Sequence, residues 1–231
     1  MKTVLITGAN RGIGLEHVRR FAGRGIHVFA TARAPAKATE LIEVAEASSG
    51  LVTVLPYDAA DPGAPALIKA AVGSTPIDLL FANAGIMGDK TLALGSVDVE
   101  EVLQLVRINA LAPLKLAEAL TDNVASSTSK LIAFQSSQMG SISDNSSGGY
   151  YAYRVSKAAL NMIAKGVAND LKSRGVIVLA LHPGWVKTRM GGQSAPVTLD
   201  QCVLGQQSLF DRLTVADSGR FYNYDGKQLG W

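Results

Sequence analysis

The sequence predicts an α/β protein: a doubly wound, mostly parallel sheet of seven strands with helices on both faces. Two observations carry this expectation. Short apolar runs alternate with longer helical patterns along the whole chain. Within those runs nearly every residue is apolar, not every second one, as strands covered on both faces require.

The elements follow in order. Thr3–Thr7 predicts the first strand, and Gly14–Gly23 a helix with Leu15, Val18 and Phe21 on one side. His27–Thr31 is the second strand and Ala36–Ala47 a helix. Val52–Leu55 is the third, followed by a helix over Pro65–Val72. Leu79–Ala82 is the fourth. A long helix then spans Val97–Leu120, with a break near Pro113, whose ring lacks an N–H. Lys130–Phe134 is the fifth strand, Tyr151–Ser173 the longest clean helical pattern, and Val176–Leu181 the sixth strand. A helix over Leu199–Leu213 and a weak strand, Arg220–Asn223, close the chain. No repeat or linker-like shift in composition interrupts the pattern, so residues 1–231 are expected to form a single domain. Two polar loops after strands stand out, Ser136–Gly149 and Gly191–Thr198. In open sheets of this kind, ligands bind beyond the strand ends.

Bulk properties narrow the function. Hydrophobic residues make up 48%, enough for one large core, and charged residues only 18%, which argues against disorder. The net charge of +3 is scattered, so no nucleic-acid footprint is present, although single basic residues suit a phosphorylated ligand. Cys202 is alone, which rules out an internal disulfide and suggests a reducing compartment. The opening segment lacks a signal-peptide pattern, and no run is long and apolar enough to span a bilayer, so a cytoplasmic location away from membranes is expected. His17, His27 and His182 have no ligand spacing with Cys202, so no metal is expected.

Thr7-Gly-Ala-Asn-Arg-Gly-Ile-Gly14 lies between the first strand and the first helix. Glycines suit that place. One turns the chain sharply, another lets the backbone approach a pyrophosphate, and a third lets helix and strand pack closely. The helix N-terminus offers free N–H groups to phosphates. This marks a Rossmann-type dinucleotide site with Gly8, Asn10, Arg11, Gly12, Ile13 and Gly14 as contacts. At the end of the second strand, an NAD site would carry an acidic residue. This chain has Phe29-Ala-Thr-Ala-Arg33 instead. Arg33 and Arg11 together would hold a 2′-phosphate by charge-assisted hydrogen bonds, so NADP(H) is the expected cofactor.

Tyr153-Arg-Val-Ser-Lys157 sets a phenol and an ammonium four residues apart, on one face of a predicted helix. A lysine charge beside a tyrosine is expected to lower its pKa and make it a proton donor and acceptor. Taken with Asn83-Ala84-Gly85, Asn109, Ser136-Ser137 and Pro183-Gly184 in this order, the chain resembles the classical short-chain dehydrogenase/reductase family. The segments Gly148–Arg154, His182–Thr188, Gly191–Pro196 and Asn223–Trp231 resemble its C-factor and sniffer-type carbonyl reductase branch.

The resemblance implies roles. Tyr153 would be the general acid–base and Lys157 its partner, also holding the nicotinamide ribose. Ser137 would bind the substrate carbonyl, with Ser136 its alternative because adjacent strand-end residues point opposite ways. Asn109 would anchor a proton-relaying water, or else bond backbone across a helix kink. Asn83, Ala84 and Gly85 would line the adenosine side. Asp58 would touch adenine or cap a helix, although Asp61 fits a cap better. Pro183, Gly184, Val186 and Thr188 would cover the nicotinamide. The expected activity is NADPH-dependent reduction of an aldehyde or ketone, or its reverse, in a homodimer or tetramer. A cofactor-binding regulatory protein is the alternative. The spacing from Ser137 to Tyr153 exceeds the commonest family spacing because of the polar stretch Ser141–Gly149, and the short segment after the sixth strand implies an open substrate cover.

Overall fold

A computed structural model describes residues 1–89 and 94–231. Seven strands form one parallel sheet: β1 (Thr3–Ile6), β2 (His27–Ala32), β3 (Val52–Pro56), β4 (Leu79–Ala82), β5 (Leu131–Gln135), β6 (Ile177–His182) and β7 (Arg220–Asn223). Their order across the sheet is β3-β2-β1-β4-β5-β6-β7. The order reverses direction between β1 and β4, and in open sheets of this kind ligands bind beyond the strand ends at such a point.

Alternation along the strands divides the core in two. Val4 and Ile6 of β1, Leu79 and Phe81 of β4 and Leu179 and Leu181 of β6 face one apolar layer. Leu5, Leu80, Ile132 and Val178 face the other. The first layer is closed by α1 (Gly12–Gly23), α2 (Thr39–Ala47) and α7 (Leu199–Arg212). The second is closed by α3 (Ala64–Val72), α5 (Ala112–Ala125) and α6 (Tyr151–Asp170). Burying a side chain such as Phe81 contributes about 2–3 kcal/mol, which explains why the strands are apolar on both faces.

The expected helix over 97–120 differs in detail. The structure has α4 (Val99–Val106), a π turn at Arg107–Leu111, and α5 running on to Ala125. The break lies just ahead of Pro113, which sits in the first turn of α5, where a missing N–H costs nothing. Asp61 caps no helix. Gly63 is the N-cap of α3, and Asp61 and Asp58 each accept a hydrogen bond from a backbone N–H two residues on.

The opposite end of the sheet is tied by Asp78, just before β4. Its carboxylate accepts from the N–H groups of Lys2 (2.6 Å), Thr3 (3.2 Å) and Ser129 (3.0 Å), joining β1, β4 and β5. Burial pushes the Asp78 carboxyl up, but these three bonds and the nearby N-terminal charge outweigh it, and the group lies below the usual carboxylate range. Asp78→Ala is expected to lose about 2–4 kcal/mol of stability in urea unfolding at neutral pH, because three donors lose a charged acceptor. A depressed pKa gives stability that is full above the unfolded carboxylate's pKa of about 4 and lost as pH falls through the folded value. The gap between wild type and variant should therefore narrow below about pH 4; a gap that stays constant into acid would contradict the clamp.

Candidate active site

The first turn is built from backbone. Gly8 (φ +64°) and Gly12 (φ +54°) take left-handed conformations that favour glycine. A Cβ on Gly14 would stand 2.5 Å from Gly8 O and 2.7 Å from Asn83 Nδ2, so α1 and the turn touch without room for a side chain. Asn83 donates to Thr7 O (2.9 Å) and Gly8 O (3.3 Å), and the Thr7 hydroxyl accepts from Ala84 N–H (2.9 Å). These bonds weld the end of β4 to the glycine turn. The first turn of α1 has neither a side-chain cap nor an acidic residue. Asn10 and Ile13 are half-buried at this turn and Arg11 is exposed; Asp58, after β3, is half-buried and Arg33, after β2, is exposed.

After β6, Gly184 (φ +81°) packs against the Tyr224 ring, and Val186 pairs with Val197 in an isolated parallel bridge. The Thr188 hydroxyl accepts from Gly191 N–H (3.2 Å), and its methyl lies 3.7 Å from where a Gly12 Cβ would be. The loop from Pro183 to Thr188 thus reaches back over the glycine turn. Trp185 on this loop is exposed, and its indole N–H donates to Gly191 O (2.7 Å).

Tyr153 and Lys157 share a buried face of α6. Lys157 Nζ donates to Gln135 O (2.8 Å) and lies 5.7 Å from the centre of the Tyr153 ring. Ser137 lies two residues beyond β5 and caps a short 3₁₀ turn, Gln138–Gly140, through Met139 N–H (3.2 Å). Ser136 points the other way, to Asn161 Oδ1 (2.5 Å), so Ser137 is the serine on the tyrosine's side. Asn109 sits in the π turn. Its side chain pairs with both the N–H and the C=O of Ile86 (2.8 Å each) and donates to Ser156 (2.9 Å). A Cβ on Gly85 would lie 3.2 Å from Asn109 Oδ1 and 3.5 Å from Lys157 Nζ, so these three residues meet. The side chain bonds backbone, as one of the two expectations had it, but the backbone is that of Ile86 in the loop after β4 and not one across a helix kink.

The electrostatics differ from the expectation. Burial pushes the Tyr153 phenol up to about 12, against a hydrogen bond with Ser137 that pulls it down. Burial pulls the Lys157 ammonium down to about 8. The direction for Tyr153 is opposite to the lowering expected from the sequence, because loss of solvent outweighs the hydrogen bond with Ser137. Gln135, Ser156 and Asn161 also belong to the site. Each acts through a backbone or buried polar contact that residue spacing does not reveal.

A family profile described as short chain dehydrogenase matches residues 2–197. C-signal of Myxococcus xanthus is 40% identical over 156 residues, which cover 68% of this chain and 93% of that protein. The carbonyl reductase Sniffer of D. melanogaster superposes with a TM-score of 0.91 at 34% identity, covering 100% of both chains. An NADPH-bound carbonyl reductase from chicken fatty liver superposes with a TM-score of 0.92 at 32% identity, covering 100% of this chain and 99% of that one.

The two glycine positions make opposite predictions. Gly14→Ala should cost about 1–3 kcal/mol in urea unfolding, since its Cβ meets backbone that has nowhere to go. Gly12→Asn keeps an accessible left-handed conformation, and its Cβ would meet only the Thr188 methyl at an ordinary contact distance of 3.7 Å, so it should cost under about 1 kcal/mol. Equal costs would mean that close packing does not set the Gly14 position.

Proposed function

The chain belongs to the short-chain dehydrogenase family and is an NADP(H)-dependent oxidoreductase; on that premise we propose that it reduces a ketone or aldehyde to an alcohol, with Tyr153 as proton donor. The gathering of Ser137, Tyr153 and Lys157 beyond the ends of β5 and β6, across from the glycine turn, carries this reading.

The residues present fit the cofactor. The turn of Gly8, Asn10, Gly12, Ile13 and Gly14 leaves backbone N–H groups of α1 free for a pyrophosphate. Arg11 and Arg33 make no ion pair among the described residues, and no carboxylate stands at the end of β2 to repel a 2′-phosphate. Asp58, Asn83, Ala84 and Gly85 would flank the adenosine half. Pro183, Gly184, Val186 and Thr188 would cover the nicotinamide half. When bound, NADPH supplies the hydride.

The chain's own groups handle the proton. A phenol raised to about 12 keeps its proton at neutral pH, so Tyr153 enters the reaction as a donor. It gives that proton to a substrate oxygen that is becoming an alkoxide, a stronger base than a phenolate, so the transfer is downhill. Ser137 holds the same oxygen by a hydrogen bond. The Lys157 ammonium faces the tyrosine ring and stabilises the phenolate left behind. Asn109 fixes the π turn and the strand end beside Lys157. Ile86, Met87 and Met139 pack around Tyr153, which suits a substrate with an apolar group. The reading extends to a cytoplasmic homodimer joined through α4, α5 and α6, whose outer faces expose Leu103, Val155 and Met162. The likeness to C-signal favours a second reading, a regulatory protein with little turnover, but the complete proton-handling set favours the enzyme.

Carbonyl-dependent loss of NADPH absorbance is the direct test. Tyr153→Phe should lower it by about 10²–10⁴-fold, and full activity in that variant across a broad carbonyl panel would refute the role. Wild-type reduction should hold steady up to about pH 8 and fall above it, as Lys157 loses the charge that stabilises the phenolate. Arg33→Ala should weaken NADPH binding by about 10–100-fold while leaving NADH unchanged, the loss of a charge-assisted bond. Equal affinities of the wild type for both cofactors would contradict the 2′-phosphate site.

A further inference from the structure

Residues 138–150 join Ser137 to α6 and take no part in the proton chemistry. The loop opens with a 3₁₀ turn, Gln138–Gly140, and closes on three successive left-handed residues: Gly148 (φ +65°), Gly149 (φ +64°) and Tyr150 (φ +51°). The first two are unstrained as glycines. At Tyr150 the conformation costs about 1–2 kcal/mol, so the surroundings must impose it.

Arg154, in the first turn of α6, imposes it. Its Nε donates to the carbonyls of Gly148 (3.2 Å) and Gly149 (3.1 Å), its Nη1 to the carbonyl of Met139 (3.3 Å), and its Nη2 to the Ser147 hydroxyl (2.9 Å). One forked side chain thus joins the beginning of the loop to its end. Arg154 makes no ion pair among the described residues, so no carboxylate competes for the fork. From the other side, Ser141 donates to Gly230 O (2.8 Å) and Ser143 N–H to Trp231 O (3.0 Å), while the Trp231 ring stacks on Phe221.

Both ends of this loop lie on the proposed reaction centre. Ser137 precedes it, and Tyr153 follows Tyr150 by one helical turn. Met139, whose carbonyl Arg154 holds, packs in the cluster around Tyr153. We propose that Arg154 is a positioning residue that sets substrate selectivity, holding 138–150 as a fixed wall beside Ser137 and Tyr153. Which substituents the wall admits rests on the carbonyl-reductase reading above; the fastening of the wall does not. Lysine cannot replace it, because a single ammonium does not present a planar fork to four acceptors.

The test compares wild type with Arg154→Ala, Arg154→Lys and Gly149→Ala. Gly149 has open space around it, so the alanine there strains only the left-handed backbone. Amide hydrogen exchange in 141–150 should quicken by about tenfold or more in all three, with exchange in β1, β4 and β5 unchanged. KM for bulky ketones should rise about tenfold while kcat falls less than about threefold and NADPH affinity stays within about twofold. A residue that merely supported folding would lower kcat through a smaller active fraction and leave KM alone. Unchanged exchange in the loop, an Arg154→Lys variant that behaves as wild type, or NADPH affinity lost in step with KM would each overturn the proposal. Exchange needs no substrate, so it decides the wall even if the wild type reduces no carbonyl, an outcome that would refute the proposed function instead.

Discussion

An ammonium withdrawn from water must be neutralised, hydrogen-bonded or deprotonated, and Lys157 carries one where β4, β5 and α6 converge. Its one hydrogen-bond acceptor among the described residues is the Gln135 carbonyl, helped by the face of the Tyr153 ring. Much of the site follows from accommodating it. Gly85 has no Cβ to obstruct the side chain, and Gly140 has none to keep the loop after β5 from lying against the Lys157 backbone, where one would stand 2.7 Å away. Asn109 holds Ile86 from both its N–H and its C=O, fixing the strand end beside the ammonium. The π turn that carries Asn109 is tolerated because α6 and Ser156 pack against it.

Behind β5, a second buried polar chain backs the same strand end. Burial holds His17 down to about 4, so it is neutral at physiological pH, and its Nε2 pairs with Gln206 Oε1 (2.8 Å). Gln206 then donates to the Gln135 side chain (3.2 Å). His17 lies in α1, Gln206 in α7 and Gln135 in β5, so the helix that starts at the glycine turn and the strand whose carbonyl holds Lys157 are linked through bonded, buried groups. This polar chain ties α1, α7 and β5 together through one polar atom each of His17 and Gln135, whose Nδ1 and Nε2 have no hydrogen-bond partner among the described residues. With Asp78 fixing the other end of the same strands, the sheet offers its upper edge as a rigid platform.

Strand positions were legible because burial on both faces forces uninterrupted apolar runs such as Leu79–Ala82 and Val176–Leu181. Glycine positions were legible because backbone contact admits no other residue, as at Gly14. Three things were not. The break in the helix after Val99 is set by Asn109 reaching Ile86 across space, whereas proline pointed to a site a few residues later. The ionisation of Tyr153 depends on how completely the fold removes water, which a four-residue spacing does not encode. Nothing in the sequence singles out Arg154, because three of its four partners are backbone carbonyls, which any residue supplies.

The same distinction separates the two halves of the crevice. The cofactor side is built from main-chain groups, glycines and strand ends, whose geometry is fixed by the sheet and recurs wherever the sheet does. The substrate side is built from a loop whose shape comes from one arginine, two glycines and a tail that ends on Trp231. Those contacts meet the sheet at Phe221 of the edge strand β7, away from the glycine turn, so residues 141–150 can be rebuilt without disturbing that turn. A family resemblance therefore identifies the cofactor of this chain far more readily than its substrate, and under the proposed function the loop between Ser137 and Tyr153 is where that substrate would be selected.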